Sequence, residues 1–312
     1  MRERFLPRAA LPSVLRVRPA VKDPGRIVRG MVIDSHGDPV WDAVVQPQGI
    51  SMEIPGRGKR SIYGTIDGLE PVAVTNEKGE FDLSHARPFE AIALEVEARG
   101  MAPAIATNIA SGGERHRIVV RDGAVIRGRL VQDGKPVPNA EIGLIARQHG
   151  WVANLEPIGY PVPETRVGTN EDGTFAITNV PPGVEWYVYG KMESLSKRGG
   201  APLRECATAK DGEEVDMGDL PLTPALRLRG KVVLSDGKAI PPGMRVTISS
   251  ERAADSQTAI LPPDGLFEFG GLAKGPYTVF ASVRGYRPAS GHPVAMTLEG
   301  DVTDYVLTLD RQ

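Results

Sequence analysis

The sequence holds one cysteine, Cys206, so no disulfide can form within the chain. A lone thiol leaves the compartment open, because disulfides favour oxidising spaces without being required there. No stretch of the 312 residues approaches 18 consecutive apolar positions, which excludes a transmembrane helix. Positive charge is not in surplus: 37 Lys and Arg stand against 39 Asp and Glu, for a net charge of −2, so nucleic acid is not an expected partner. Aromatic residues make up only 5% of the chain, with three Trp. Apolar positions nowhere keep a 3.6-residue period beyond two turns, which argues against long helices.

Catalytic signatures are missing as well. The five histidines, His36, His85, His116, His149 and His292, form no His-x-x-His or His-Glu-x-x-His arrangement of the kind that holds a catalytic zinc. There is no Gly-x-Ser-x-Gly elbow, no dinucleotide fingerprint and no phosphate loop; Gly134-Lys135 and Gly237-Lys238 run into Pro136 and Ala239, not Ser or Thr. Asn170-Glu171-Asp172-Gly173 lacks the carboxylate ladder of a calcium loop and reads as a turn. No metal, no cofactor and no catalytic residue are expected.

What the chain has in plenty is glycine, 36 residues, and proline, 27, set between short apolar runs. That is the pattern of many strands joined by tight turns. Three strand-turn-strand stretches repeat one another: Arg29-Gly30 to Val44, Arg127-Gly128 to Ile142 and Arg229-Gly230 to Val246. Their glycines at 30, 128 and 230 lie 98 and 102 residues apart, a spacing that suits a small domain with its own core. A second mark repeats with them. Gly79/Phe81, Gly173/Phe175 and Gly265/Phe267 each place a turn glycine two residues before a phenylalanine. Glycine supplies the positive φ of a hairpin, and the phenylalanine then enters the core. The expected organisation is a lead-in over 1–25 and three β-sandwich repeats over 26–121, 122–222 and 223–312. The lead-in carries Arg2, Arg4, Arg8, Arg16 and Arg18, and its uncharged run from Ala9 to Leu15 is broken by Pro12. It makes a poor signal-peptide core. The chain is therefore either cytoplasmic, or it begins after a removed signal or inside a longer protein.

These residues resemble the carboxypeptidase regulatory-like domain, also called the transthyretin-like or prealbumin-like module. The matching pieces are Gly128, Pro136-Val137-Pro138-Asn139-Ala140, Thr169 to Phe175 and Pro181-Pro182-Gly183-Val184-Glu185-Trp186 in the second repeat, and Gly265-Leu266-Phe267 and Leu272 to Tyr277 in the third. The first repeat keeps Thr75 to Phe81 but has Arg87-Pro88-Phe89 in place of the Pro-Gly step. The resemblance implies an all-β fold of three tandem seven-stranded antiparallel sandwiches, transthyretin-like or immunoglobulin-like, without catalysis. It also implies an extracellular or cell-envelope setting.

Function is then expected where the repeats differ. Segments 47–71 and 147–165 read as long inserts after the second strand of repeats one and two, whereas repeat three has a short one. The second insert offers His149, Trp151, Asn154 and Tyr160, and Trp41 stands at a turn of repeat one. Aromatic platforms beside amide groups suit a carbohydrate or peptide ligand. Trp186 lies in a strand and is read as core. The expected protein is a monomeric spacer or ligand-binding module, with any membrane or envelope association supplied by flanking sequence. The alternative is an accessory region of a larger peptidase or hydrolase whose catalytic domain lies elsewhere.

Overall fold

The computed structural model describes residues 23–113, 115–148, 151–152, 155–157, 165–201, 203–289 and 294–312. The strands fall into three successive groups, called units here. The first holds β1 (Ile27–Ile33), β2 (Val44–Ile54), β3 (Gly58–Tyr63), β4 (Ala73–Val74), β5 (Glu80–Ser84), β6 (Ala91–Glu97), β7 (Ala104–Ala110) and β8 (His116–Val119). The second holds β9 (Ala124–Gln132), β10 (Lys135–Pro136), β11 (Glu141–Ala146), β12 (Trp151–Val152), β13 (Glu156–Pro157), β14 (Thr165–Gly168), β15 (Thr174–Val180), β16 (Val184–Gly190), the one-turn helix α1 (Met192–Leu195), β17 (Arg204–Thr208) and β18 (Glu214–Pro221). The third holds β19 (Leu226–Leu234), β20 (Arg245–Ser250), β21 (Ser256–Ile260), β22 (Leu266–Leu272), β23 (Gly275–Ser282), β24 (Tyr286–Pro288), β25 (Val294–Leu298) and β26 (Val302–Arg311).

Pairing is the same in each unit. The first strand (β1, β9, β19) lies between an antiparallel partner (β5, β15, β22) and the last strand (β8, β18, β26), which runs parallel to it. The opposing sheet is built around the second strand (β2, β11, β20), flanked by β4, β14 or β21 and by β6, β16 or β23, with β7, β17 or β25 outside. The all-β sandwich reading holds, and the structure adds one parallel pair per unit. A parallel neighbour needs a long crossover. The chain supplies it by visiting the opposing sheet before returning to the side of its first strand.

Alternation along the strands explains the layering. In β19, Leu228, Gly230, Val232 and Leu234 turn inward, while Arg227, Arg229 and Lys231 face out. Three apolar clusters result: one around Val28, Phe81, Ile92 and Ile118, one around Ile126, Phe175, Trp186 and Val188, and one around Leu228, Phe267, Val279 and Leu307. Trp186 is core, its indole Nε1 donating to Thr208 Oγ1 at 3.0 Å.

The two repeated sequence marks turn out to be a single contact. Gly30 is paired across the sheet with Phe81, Gly128 with Phe175 and Gly230 with Phe267. A Cβ placed on those glycines would fall 2.2, 2.8 and 2.7 Å from the phenylalanine rings. The ring lies over bare backbone, so the glycine is required by its partner. The hairpin glycines Gly79, Gly173 and Gly265 have φ of +72°, +78° and +76°. The first two units have a threonine four residues earlier, whose hydroxyl pins the facing turn at 40–43 or 137–140. Thr75 Oγ1 accepts from Ala43 N at 2.8 Å and donates to Val40 O at 2.7 Å, and Thr169 does the same with Ala140 and Val137. The third unit puts buried Leu261 at this position.

One segment differs from the sequence expectation. Much of 47–71 is not an irregular insert: β2 continues through Ile54 and turns back as β3, with Ile50 opposite Ile62. A register shift between Pro47 and Gly49 carries the strand past two residues that normally end one.

Candidate functional site

The sequence-derived candidates do not come together as one site among the described residues. Trp41 stands at a turn with 67% of its surface exposed. Trp151 lies in β12, whose backbone pairs with β13, Trp151 opposite Pro157. His149, Asn154 and Tyr160 lie outside the described residues. No group of three or more His, Cys, Asp and Glu sits together as a metal site among the described residues. Burial pushes the Cys206 thiol up to about 11, which keeps it protonated and weakly nucleophilic at neutral pH. No helix in that set is long and apolar enough to cross a membrane.

Polar contacts instead tie successive units together at two junctions. Between the first and second, the carboxamide of Asn179 donates from Nδ2 to Gly100 O at 2.7 Å, and within its own unit to Asp122 O at 2.9 Å. On the first unit's side of the joint, Ala102 forms a backbone bridge with Arg121, its amide donating to Arg121 O at 2.7 Å. The repeat-two insert also docks on the first unit. Leu155, between β12 and β13, is fully buried, and its amide donates to the Tyr63 hydroxyl at 3.2 Å. Its Cδ2 lies 3.1 Å from where a Cβ on Gly49 would fall, so the absent side chain opens its seat.

The junction of the second and third units is drier. Lys191 Nζ lies 3.2 Å from Asp255 Oδ1, with side-chain exposures of only 8% and 3%. Ala254 O accepts from the same ammonium at 3.1 Å, and Asp255 Oδ2 accepts from the amide of Met192 at 2.8 Å. Burying such a pair carries a desolvation cost, which these two hydrogen bonds help to offset. The Lys191 ammonium also lies 5.9 Å from the centroid of the Tyr189 ring. Beside the pair, a cleft of about 260 Å³ is lined by residues of both units, among them Tyr189, Met192, Glu205, Arg252 and Tyr277. Burial, with a contribution from the Asp255 charge, raises the Tyr277 hydroxyl to about 12; it donates to Ala273 O at 2.9 Å.

Both junctions use the same place in the fold. A two-residue bulge interrupts β15 at Thr178 and Asn179, and a matching bulge interrupts β22 at Gly270 and Gly271. Asn179 has φ of +56° and Gly271 of +72°. In the second unit the bulge side chain reaches the preceding unit. In the third, the preceding unit comes to the bulge: a Cβ on Gly271 would fall 2.7 Å from both Met192 O and Ser196 Cα. None of Asn179, Leu155, Lys191, Met192 or Asp255 stood out in the sequence. Their importance depends on contacts between units that no local pattern encodes.

No curated protein matches the chain. Among solved structures, a streptococcal ancillary pilin is similar at 13% identity, with 92% of this chain and 99% of that one aligned and a TM-score of 0.28. BcpA, the major pilin subunit of Bacillus cereus, gives 8% identity, 92% and 99% coverage and a TM-score of 0.24. The Bacillus anthracis TIE protein gives 13% identity and a TM-score of 0.25; 92% of this chain aligns, spanning 50% of the length of that protein. The carboxypeptidase regulatory-like domain is the family whose model this chain matches, over residues 227–310, from β19 into β26.

Proposed function

We propose that the chain is a non-enzymatic structural protein. Three sandwich domains, over 26–121, 122–222 and 223–312, act as a stiff spacer in an envelope or secreted setting. The observation that carries this reading is the pair of built junctions. A flexible string of domains would leave its joints solvated and polar. Here one joint buries Leu155 and the other buries a lysine, an aspartate and Met192. Small-angle scattering on the full chain tests it. A single extended arrangement that fits the whole curve is expected; a broad distribution of end-to-end distances would sink the spacer. Peptidase or hydrolase activity that survives repeated purification would overturn the non-enzymatic part. The ligand part of the proposal rests on exposed Trp41 and on Trp151. Retention on a glycan or peptide array should fall with Trp41→Ala or Trp151→Ala, and no retention of the unaltered protein leaves only the spacer role.

A further inference from the structure

We propose that the second and third units unfold and refold as one cooperative body, locked by segment 191–200, while the first unit unfolds independently. The lock is the single turn α1. Its first residue, Met192, belongs to the apolar cluster of the third unit, and Leu195, three residues on, belongs to that of the second. Both residues sit on one helical turn, so one rigid element plugs two cores. Lys191 precedes it and is buried against Asp255. Beyond it, Gly200 bridges Thr223, and a Cβ on Gly200 would fall 2.6 Å from Leu272 O. Unfolding the third unit alone would strip Met192 of its packing, remove the partner of Lys191 and loosen the helix turn that seats Leu195. The second core would open with it.

The first junction has no such element. Among the described residues, the cluster of the first unit draws only on positions from Val28 to Val120. Hydrogen bonds of Asn179 with Gly100 and of Leu155 with Tyr63 tie it to the second unit. Those can be lost while each core stays closed.

Hydrogen exchange of the full chain, read by mass spectrometry where opening is rate-limiting, separates the cases. Peptides from β11, β16, β20 and β23 are expected to open with one common rate constant, and peptides from β2 and β6 with another. In Asp255→Ala and in Met192→Ser, the β20 and β23 peptides should open at least tenfold faster than those of β11 and β16. Three separate rate constants in the unaltered protein, or a single one for the whole chain, would overturn the proposal without any variant having to fold. The inference rests on the spacer reading, yet the two fail separately. A stiff chain with three opening rates sinks only the cooperative body, whereas a broad scattering distribution sinks the spacer.

Discussion

At the scale of single residues, the repeated glycine and phenylalanine act as one unit, and that has a measurable consequence. Adding a methyl at Gly128 places it 2.8 Å from the Phe175 ring. Gly128→Ala should therefore cost about 1–3 kcal/mol through overpacking, read as a lowered urea midpoint. Phe175→Leu alone should cost about 1–2 kcal/mol by leaving a void. The double variant should cost less than the sum by about 1 kcal/mol, because the smaller side chain makes room for the methyl; strict additivity would refute the contact as the reason for the glycine. Glu95 offers a second test. Burial, then the charge of Glu97, raises its pKa. Gln48 Nε2 donates to it at 2.6 Å. A carboxyl with a raised folded value binds its proton more tightly folded than unfolded, so it costs stability as pH climbs past the ordinary carboxylate range. Glu95→Gln should thus gain stability relative to the parent at neutral pH, and the gain should vanish in acid. A gain that is independent of pH would contradict the assignment. The glycine-phenylalanine marks were legible because they repeat. Glu95 was not, because alternation alone would place it on a solvated face.

At the scale of elements, legibility followed the regularity of the strand. β1 (Ile27–Ile33) and β19 (Leu226–Leu234) run into the repeated Arg-Gly stretches, whose apolar spacing marks a strand directly. β7, β21 and β25 leave little mark in the sequence. They are outer strands whose faces are both partly solvated, with burial mixed along their length, so hydrophobic periodicity barely marks them. The β2–β3 hairpin was hidden by Pro47 and by five glycines in a short span, which read as loop until the register shift absorbs the first of them. The insert of the second unit was legible as a difference between repeats but not as a strut, because Leu155 finds its seat on another unit. Leu155→Ala removes a fully buried side chain from that seat. A loss of about 2–4 kcal/mol is expected, seen as faster exchange at the amides of β2 and β3, while the amides of the third unit stay unchanged. Equal loss of protection along the whole chain would mean that Leu155 supports something other than this joint.

At the scale of the whole molecule, one position in the fold is used twice with opposite chemistry. The bulge of the second unit carries Asn179, whose side chain crosses the joint to Gly100 O and also holds Asp122 O on its own side. The bulge of the third carries Gly271, because the backbone of segment 192–196 arrives where a side chain would stand. Exchange should therefore fail in both directions, for different reasons. Asn179→Gly keeps the positive φ and removes two hydrogen bonds, each worth about 0.5–1.5 kcal/mol net. The melting temperature of each unit should barely move, while the first unit gains freedom from the second. Amide relaxation would then report faster tumbling for β1–β8 than for β9–β26. Gly271→Asn also tolerates the backbone angle, since asparagine enters the left-handed region readily. Its Cβ, however, meets backbone atoms at 2.7 Å that cannot step aside. The third unit should fold, but it should tumble and open apart from the second. If Gly271→Asn left relaxation and exchange unchanged, the close approach of segment 192–196 would not be what joins the two units.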